Sequence, residues 1–268
     1  MPADTSWTFD PGPLALMALA TWAYVTRWRR ARADAGPAAA DGWRLASFLA
    51  GIAIIAAALV SPVDRLAEQA FVMHMVQHVL LLDVASILLI LGSTKVILRP
   101  ATRRLKRVED AAGPLAHPAF AVAAYVGIMW VWHVPALYDA ALRHPAFHAV
   151  EHVAFSAVGL LYWWHLLSPL RSRLRFGGMG PVVYMLSTKL LVGLLGIGLT
   201  FAPNAIYGFY EHQSPIWGLT ADTDQQLAGA VMAIEQSIVM GIALAWLFVR
   251  ALAESEREEE RAERYEVI

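Results

Sequence analysis

Two pairs of histidines spaced four apart, His74/His78 and His148/His152, are the residues of this sequence best placed to do chemistry. In a helix, residues i and i+4 lie one above the other, so each pair presents two imidazoles on one face. Neutral imidazole is the commonest ligand for copper, zinc and iron. Two such pairs on facing helices, with His133 nearby, could complete a four- or five-coordinate nitrogen site. Met73 and Met75 flank His74, and the thioether of Met75 suits Cu(I) better than zinc. His144 and His212 are possible further ligands. Glu151, one residue before His152, reads either as a carboxylate that orients a histidine or as a surface charge at a helix mouth. Histidines at helix ends also cap, bond to carbonyls or sit at headgroup level, and that reading competes with metal binding throughout. The chain has no cysteine, which excludes disulfides, thiolate metal sites and cysteine nucleophiles. Any metal must be held by nitrogen, oxygen or methionine sulfur.

Three ionisable residues fall deep within apolar stretches: Asp83, Lys189 and Glu235. Each would be costly facing lipid, so each is expected to point inward and find a partner. Asp83 and Lys189 come to similar depth and are expected to form a buried ion pair. On an α-helical wheel Asp83 lies about 180° from His74, away from any shared metal shell, which suits a role in pinning the helices together.

The elements that must position these groups are membrane helices. Hydrophobic residues make up 58% of the 268, charged residues only 16%, and mean hydropathy is +0.49, too little polarity for a water-soluble globule of this length. The pattern predicts an all-α polytopic bundle of seven transmembrane helices, over 13–26, 45–60, 71–91, 119–132, 147–167, 182–201 and 227–249, each near the ~20 residues needed to span the hydrocarbon. Eighteen of the 21 Lys and Arg fall in the first, third and fifth connections and the tail, against Arg65 and Arg143 on the other side and Lys189 within a span. Cytoplasmic loops retain Lys and Arg, which predicts the amino terminus outside and the carboxyl terminus in the cytoplasm. With that orientation, seven of the nine histidines collect on the outer side.

The whole of 1–268 reads as one integral-membrane domain, a bundle over about 11–250 followed by a charged cytoplasmic tail at 251–268. The opening residues lack the positive charge of a cleavable signal peptide, so the first helix is expected to remain. Residues 27–43 read as a flexible loop, and the aromatic outer connections 135–146 and 202–223 as a lid. Gly193, Gly196, Gly198 and Gly229 would allow close helix approach. There is no phosphate loop, nucleophile elbow or His-Glu-x-x-His motif, and no nucleic-acid site, since topology explains the basic loops.

His74-Met75-x-x-His78, Trp132-His133-x-Pro135-x-Leu137-Tyr138-Asp139, His148-x-x-Glu151-His152, Trp163-Trp164 and Asp224-Gln225-Gln226-Leu227-Ala228-Gly229 occur in this order. Together they resemble the multi-pass CtaG-type family of cytochrome c oxidase assembly proteins, from about Leu45 to Val249. The sequence departs from that family's pattern around Ser86 and after Gly92, where Ile87 and Ser93-Thr94 stand in place of prolines. The resemblance implies a bacterial inner-membrane protein that matures a haem-copper oxidase by handling copper, and it picks out His74, His78, His133, His148 and His152.

The leading expectation is therefore a non-enzymatic copper chaperone that binds its ion on the outer side and passes it to an oxidase subunit held in the bilayer, with homo-oligomerisation possible. The main alternative is a membrane zinc hydrolase, in which three histidines and a carboxylate activate a water; its marks are Glu151 or Asp139 beside that water and an open cavity facing lipid. Ligation of b-type haem and copper import are further alternatives. Import would need ligands continuing below His78 and His152, where the sequence is mostly apolar.

Overall fold

The computed structural model describes residues 2–170 and 178–266. Arg171, Arg173 and Arg175, expected in the fifth connection, lie outside them. Among the described residues the chain is helical and has no strand: α1 Pro11–Ala35, α2 Gly42–Leu59, α3 Pro62–Gln69, α4 Phe71–Gly92, α5 Lys95–Ala112, α6 Pro118–Trp132, α7 Pro135–Arg143, α8 Pro145–Leu167, α9 Gly180–Thr200, α10 Gly208–Glu211 and α11 Ala221–Glu266.

Three of these, α2, α4 and α9, are long and apolar enough to cross a membrane by length and composition. A fourth span results if α6 is taken together with α5 and the short 3-10 turn after it, although the two parts bend by 70° at their junction. Helices also cover the other expected spans, but α6 alone has only 15 residues, and the polar site residues of α8 dilute its hydropathy. The packing is inside-out relative to a soluble bundle. Val183, Leu190, Leu194 and Ile197 of α9 stand exposed, whereas His74, Gln77, Asp83 and Glu151 are all fully buried. Apolar side chains facing outward and polar ones facing inward minimise free energy when hydrocarbon is the solvent.

Helix α4 is the axis of this arrangement. Its first turn has amide groups that no helical carbonyl can satisfy. Asp224, from the first turn of α11, supplies both oxygens to them, accepting from the Phe71 amide at 2.6 Å and the Val72 amide at 2.9 Å. Further on, Leu80–Ala85 widens into a π-helical turn, a local irregularity that is often found at functional sites. There α8 comes into backbone contact: a Cβ on Gly159 would lie 2.0 Å from the Leu82 carbonyl oxygen, so only glycine permits the approach. Gly196 and Gly229 serve the α9–α11 packing similarly, while Gly193 and Gly198 meet no neighbour within 4 Å.

Several expectations about loops need correction. Helix α1 runs on through the arginines to Ala35, because nothing between Arg27 and Ala35 stops it before Gly36. The third connection is the amphipathic helix α5, capped by the Thr94 hydroxyl. Ser61 caps the unanticipated α3 in the same way. The aromatic connection after α6 folds as α7. The tail is helical to Glu266, as its Glu and Arg alternation suggests.

Candidate metal centre

The two histidine pairs face one another across the α4–α8 contact. On α4, Nε2 of His74 and Nε2 of His78 approach to 2.7 Å. On α8, the rings of His148 and His152 lie 4.2 Å apart, and His74 is 5.2 Å from His148 while His78 is 5.8 Å from His152, measured between ring centres. Glu151 sits among them, with one oxygen 3.7 Å from His74 Nε2 and the other 3.7 Å from His78 Nε2. Two overlapping sets, His74/His78/His152 and His74/His148/Glu151, bring one ligand atom per residue within 4.8 Å of one another.

The hydrogen-bonding pattern around these atoms is as informative as the distances. Both Glu151 oxygens, His78 Nδ1, His148 Nε2 and His152 Nε2 are buried with no hydrogen-bond partner. A carboxylate enclosed without a donor or a counter-charge is strongly disfavoured, and native interiors rarely tolerate it. A cation between the imidazoles and Glu151 removes the imbalance, so the residues present fit a bound metal ion.

Tyr210 fixes which nitrogen of His74 points inward. Its hydroxyl donates to the Ala67 carbonyl at 2.7 Å, and the same oxygen lies 3.1 Å from His74 Nδ1. Having spent its proton on Ala67, the oxygen is left to accept from Nδ1–H, and Nε2 keeps its lone pair for the centre. Burial first of all pushes the Tyr210 phenol well above its ordinary pKa, so that proton stays in place. The lid around it is an aromatic cluster of Phe71, Tyr138, Tyr207 and Tyr210. Asp139 anchors it by accepting from the Phe209 amide at 3.2 Å, and Gln225 by accepting from the Ile206 amide at 2.8 Å.

Not every sequence-derived candidate joins the cluster. His133 stands beside it: its Nδ1 donates to the Met129 carbonyl at 2.6 Å and its Nε2 faces the Met75 sulfur at 3.4 Å. His144 is exposed at the start of α8, and His212 is exposed with Nδ1 bonded to the Gly208 carbonyl. The expected Asp83–Lys189 ion pair is not formed. Asp83 instead accepts from Tyr125 at 2.9 and 3.0 Å and from Trp163 at 2.6 Å, and is hydrogen-bonded to Glu235. Neutral phenol and indole donors on α6 and α8 satisfy the carboxyl without a second buried charge. Sequence reasoning missed Tyr125, Trp163 and Tyr210 as partners; Tyr138 and Trp163 did stand in the motifs.

The fold and site thus define a helical membrane protein built around a buried imidazole–carboxylate centre. The chain matches the cytochrome c oxidase caa3 assembly factor family (Caa3_CtaG) over residues 22–254, and it belongs to that family. It is also 23% identical over 248 residues to the uncharacterised protein ML1998 of Mycobacterium leprae (strain TN), an alignment covering 85% of this chain and 36% of that protein. The chain therefore spans about a third of the length of this curated relative. No solved structure matches it.

Proposed function

We propose that this protein is a copper-handling assembly factor of the bacterial plasma membrane, a single integral-membrane domain of seven spans with its histidine end outward and its carboxyl terminus in the cytoplasm. The observation that carries this reading is the set of converging, unpartnered donors around Glu151. His74, His78, His148, His152 and Glu151 take the ion as cargo, with His133 and Met75 adjacent. The half-buried ring of His148 is the edge of the cluster nearest to solvent or to a partner. With no thiolate in the set, the ion is bound without being trapped, as transfer to an oxidase subunit demands.

The zinc-hydrolase reading draws support from Glu151, which occupies the position a general base would need. Against it, Asp139 is spent on the lid, where it accepts from the Phe209 amide. The test is metal content and binding by detergent-purified protein, wild type beside His74→Ala/His78→Ala, with copper and zinc offered in competition. Selective copper binding that the variant loses, together with failed oxidase maturation in cells carrying it, supports the assembly role. Tight zinc with little copper moves the assignment to the hydrolase.

A further inference from the structure

Beneath the imidazole–carboxylate cluster the structure encloses a second group of donors, of which the proposed function uses only His78 as a ligand. A cavity of about 10 Å³, room for one water-sized sphere, is lined by Met75, Met129, Met232, His78, Asp83 and Glu235. The mostly apolar path below His78 thus carries two carboxyl groups, Asp83 and Glu235. We infer that this cavity is a second metal site, for a soft monovalent cation of the Cu(I) class, held by the thioethers of Met75, Met129 and Met232 together with His78.

Four observations converge on that ion. Three methionines line one small cavity; each is ordinary filler singly, but thioethers as a set are the ligand type that favours Cu(I) over harder cations. The ring of His78 lines the cavity while its Nε2 faces His74, and its other nitrogen, Nδ1, is buried without a hydrogen-bond partner. Met75 is met from its other side by His133 Nε2 at 3.4 Å. Because His133 Nδ1 donates to the Met129 carbonyl, Nε2 of the neutral ring has only a lone pair to offer, as has the sulfur. Neither can donate to the other, so the Met75 sulfur keeps its lone pairs for an ion. Lastly, Asp83 and Glu235 hydrogen-bond to each other against the same cavity, which sets carboxyl groups beside the ion.

Met75, Val79, Leu82 and Asp83 form one stripe of α4 along this cavity, and the π-helical turn over Leu80–Ala85 carries its inner part. His78 then borders both sites, and its neutral ring offers one lone pair at a time, at Nδ1 to the lower site or, once the proton has moved across the ring, at Nε2 to the upper. An ion can pass between them without a change of oxidation state.

The experiment titrates the full-length protein in detergent with Cu(I), supplied as its acetonitrile complex under anaerobic reducing conditions against a chromophoric Cu(I) chelator, with X-ray absorption on the loaded protein. Wild type is expected to show sulfur scatterers around copper. Met129→Leu/Met232→Leu, a nearly volume-conserving change, is expected to lose one Cu(I) equivalent and the sulfur shell while retaining zinc binding. His148→Ala/Glu151→Gln is expected to keep the sulfur-bound copper. Wild-type Cu(I) held by nitrogen and oxygen alone, no bound Cu(I), or an unchanged sulfur shell in the methionine variant overturns the inference. Should that variant fail to fold, selenomethionine-labelled wild type decides: copper scattering at the selenium edge supports the site and its absence refutes it. Zinc or Cu(II) binding unaffected by His148→Ala/Glu151→Gln would instead count against the upper centre.

Discussion

Replacing Tyr210 with Phe removes one oxygen that makes two buried hydrogen bonds, at 3.1 Å to His74 Nδ1 and 2.7 Å to the Ala67 carbonyl. The phenyl ring still fills its place against Phe71 and Phe209, so packing changes little. Losing the hydrogen-bond partner that orients a metal-binding histidine costs about 10–100-fold in affinity, or roughly 1.4–2.7 kcal/mol. The mechanism is specific. Without Tyr210 the proton of His74 is free to move to Nε2, the atom 2.7 Å from His78 Nε2 and 3.7 Å from Glu151, and metal binding must then first drive it back. The expected result for Tyr210→Phe is therefore metal affinity lowered at least tenfold with unchanged stoichiometry, measured by competition against a chromophoric chelator. Tyr207→Phe is the control. Its hydroxyl donates to the His133 carbonyl and orients no ring of the cluster, so affinity is expected to stay within about threefold. Tyr210→Phe binding within twofold of wild type would refute the assigned tautomer.

Other substitutions probe the same construction. Glu151→Gln removes the enclosed charge, so metal binding is expected to weaken about 100-fold or more while the metal-free protein unfolds at no lower temperature; a clear fall in that temperature would show the carboxylate is satisfied without metal. Gly159→Ala places a methyl against the Leu82 carbonyl and is expected to cost about 1–3 kcal/mol of stability and to weaken metal binding by spreading the two histidine pairs. Wild-type stability in denaturant would contradict the close contact. Asp224→Ala uncaps α4 and is expected to cost about 0.5–2 kcal/mol, with Asp224→Asn recovering part of it in the same unfolding assay. Lys189→Met is expected to leave stability within about 0.5 kcal/mol, as for substitutions away from buried networks; a large loss would revive its pairing with Asp83.

What was legible in the sequence was whatever depends on regular helical geometry. The i,i+4 spacing of His74/His78 and His148/His152 already places each pair on one face, and the structure adds only that the faces oppose. Glu151 was visible as a neighbour of His152, but its central position follows from helix rotation, which hydropathy does not encode. The expected pairing of Asp83 with Lys189 failed for an identifiable reason: depth counting sees charges but not the neutral donors Tyr125 and Trp163. The wheel had set Asp83 apart from the His74 shell, and it joins neither ligand set there. Lid residues such as Tyr210 come from distant parts of the chain, and no local pattern connects 210 to 74. The methionine cavity was hidden because Met75, Met129 and Met232 each look like membrane filler until three helices bring them together.

The touching backbones at Gly159 and Leu82 have a mechanical consequence. That contact acts as a pin at the outer edge of the packing between α8 and the inner half of α4, and His152 lies seven residues along α8 from it, roughly 10 Å at 1.5 Å per residue. A tilt of about 5° around the pin would shift the α8 imidazoles by roughly 1 Å relative to those on α4, enough to break or make a coordination bond by the scale of metal–nitrogen distances. A docking oxidase subunit that leaned on the exposed outer flank of α8, at Phe147, Val150 and Val153, would push the arm of α8 beyond that pin. The grip on the ion could then be loosened by contact alone, with no chemical signal and no rearrangement of the helices beneath.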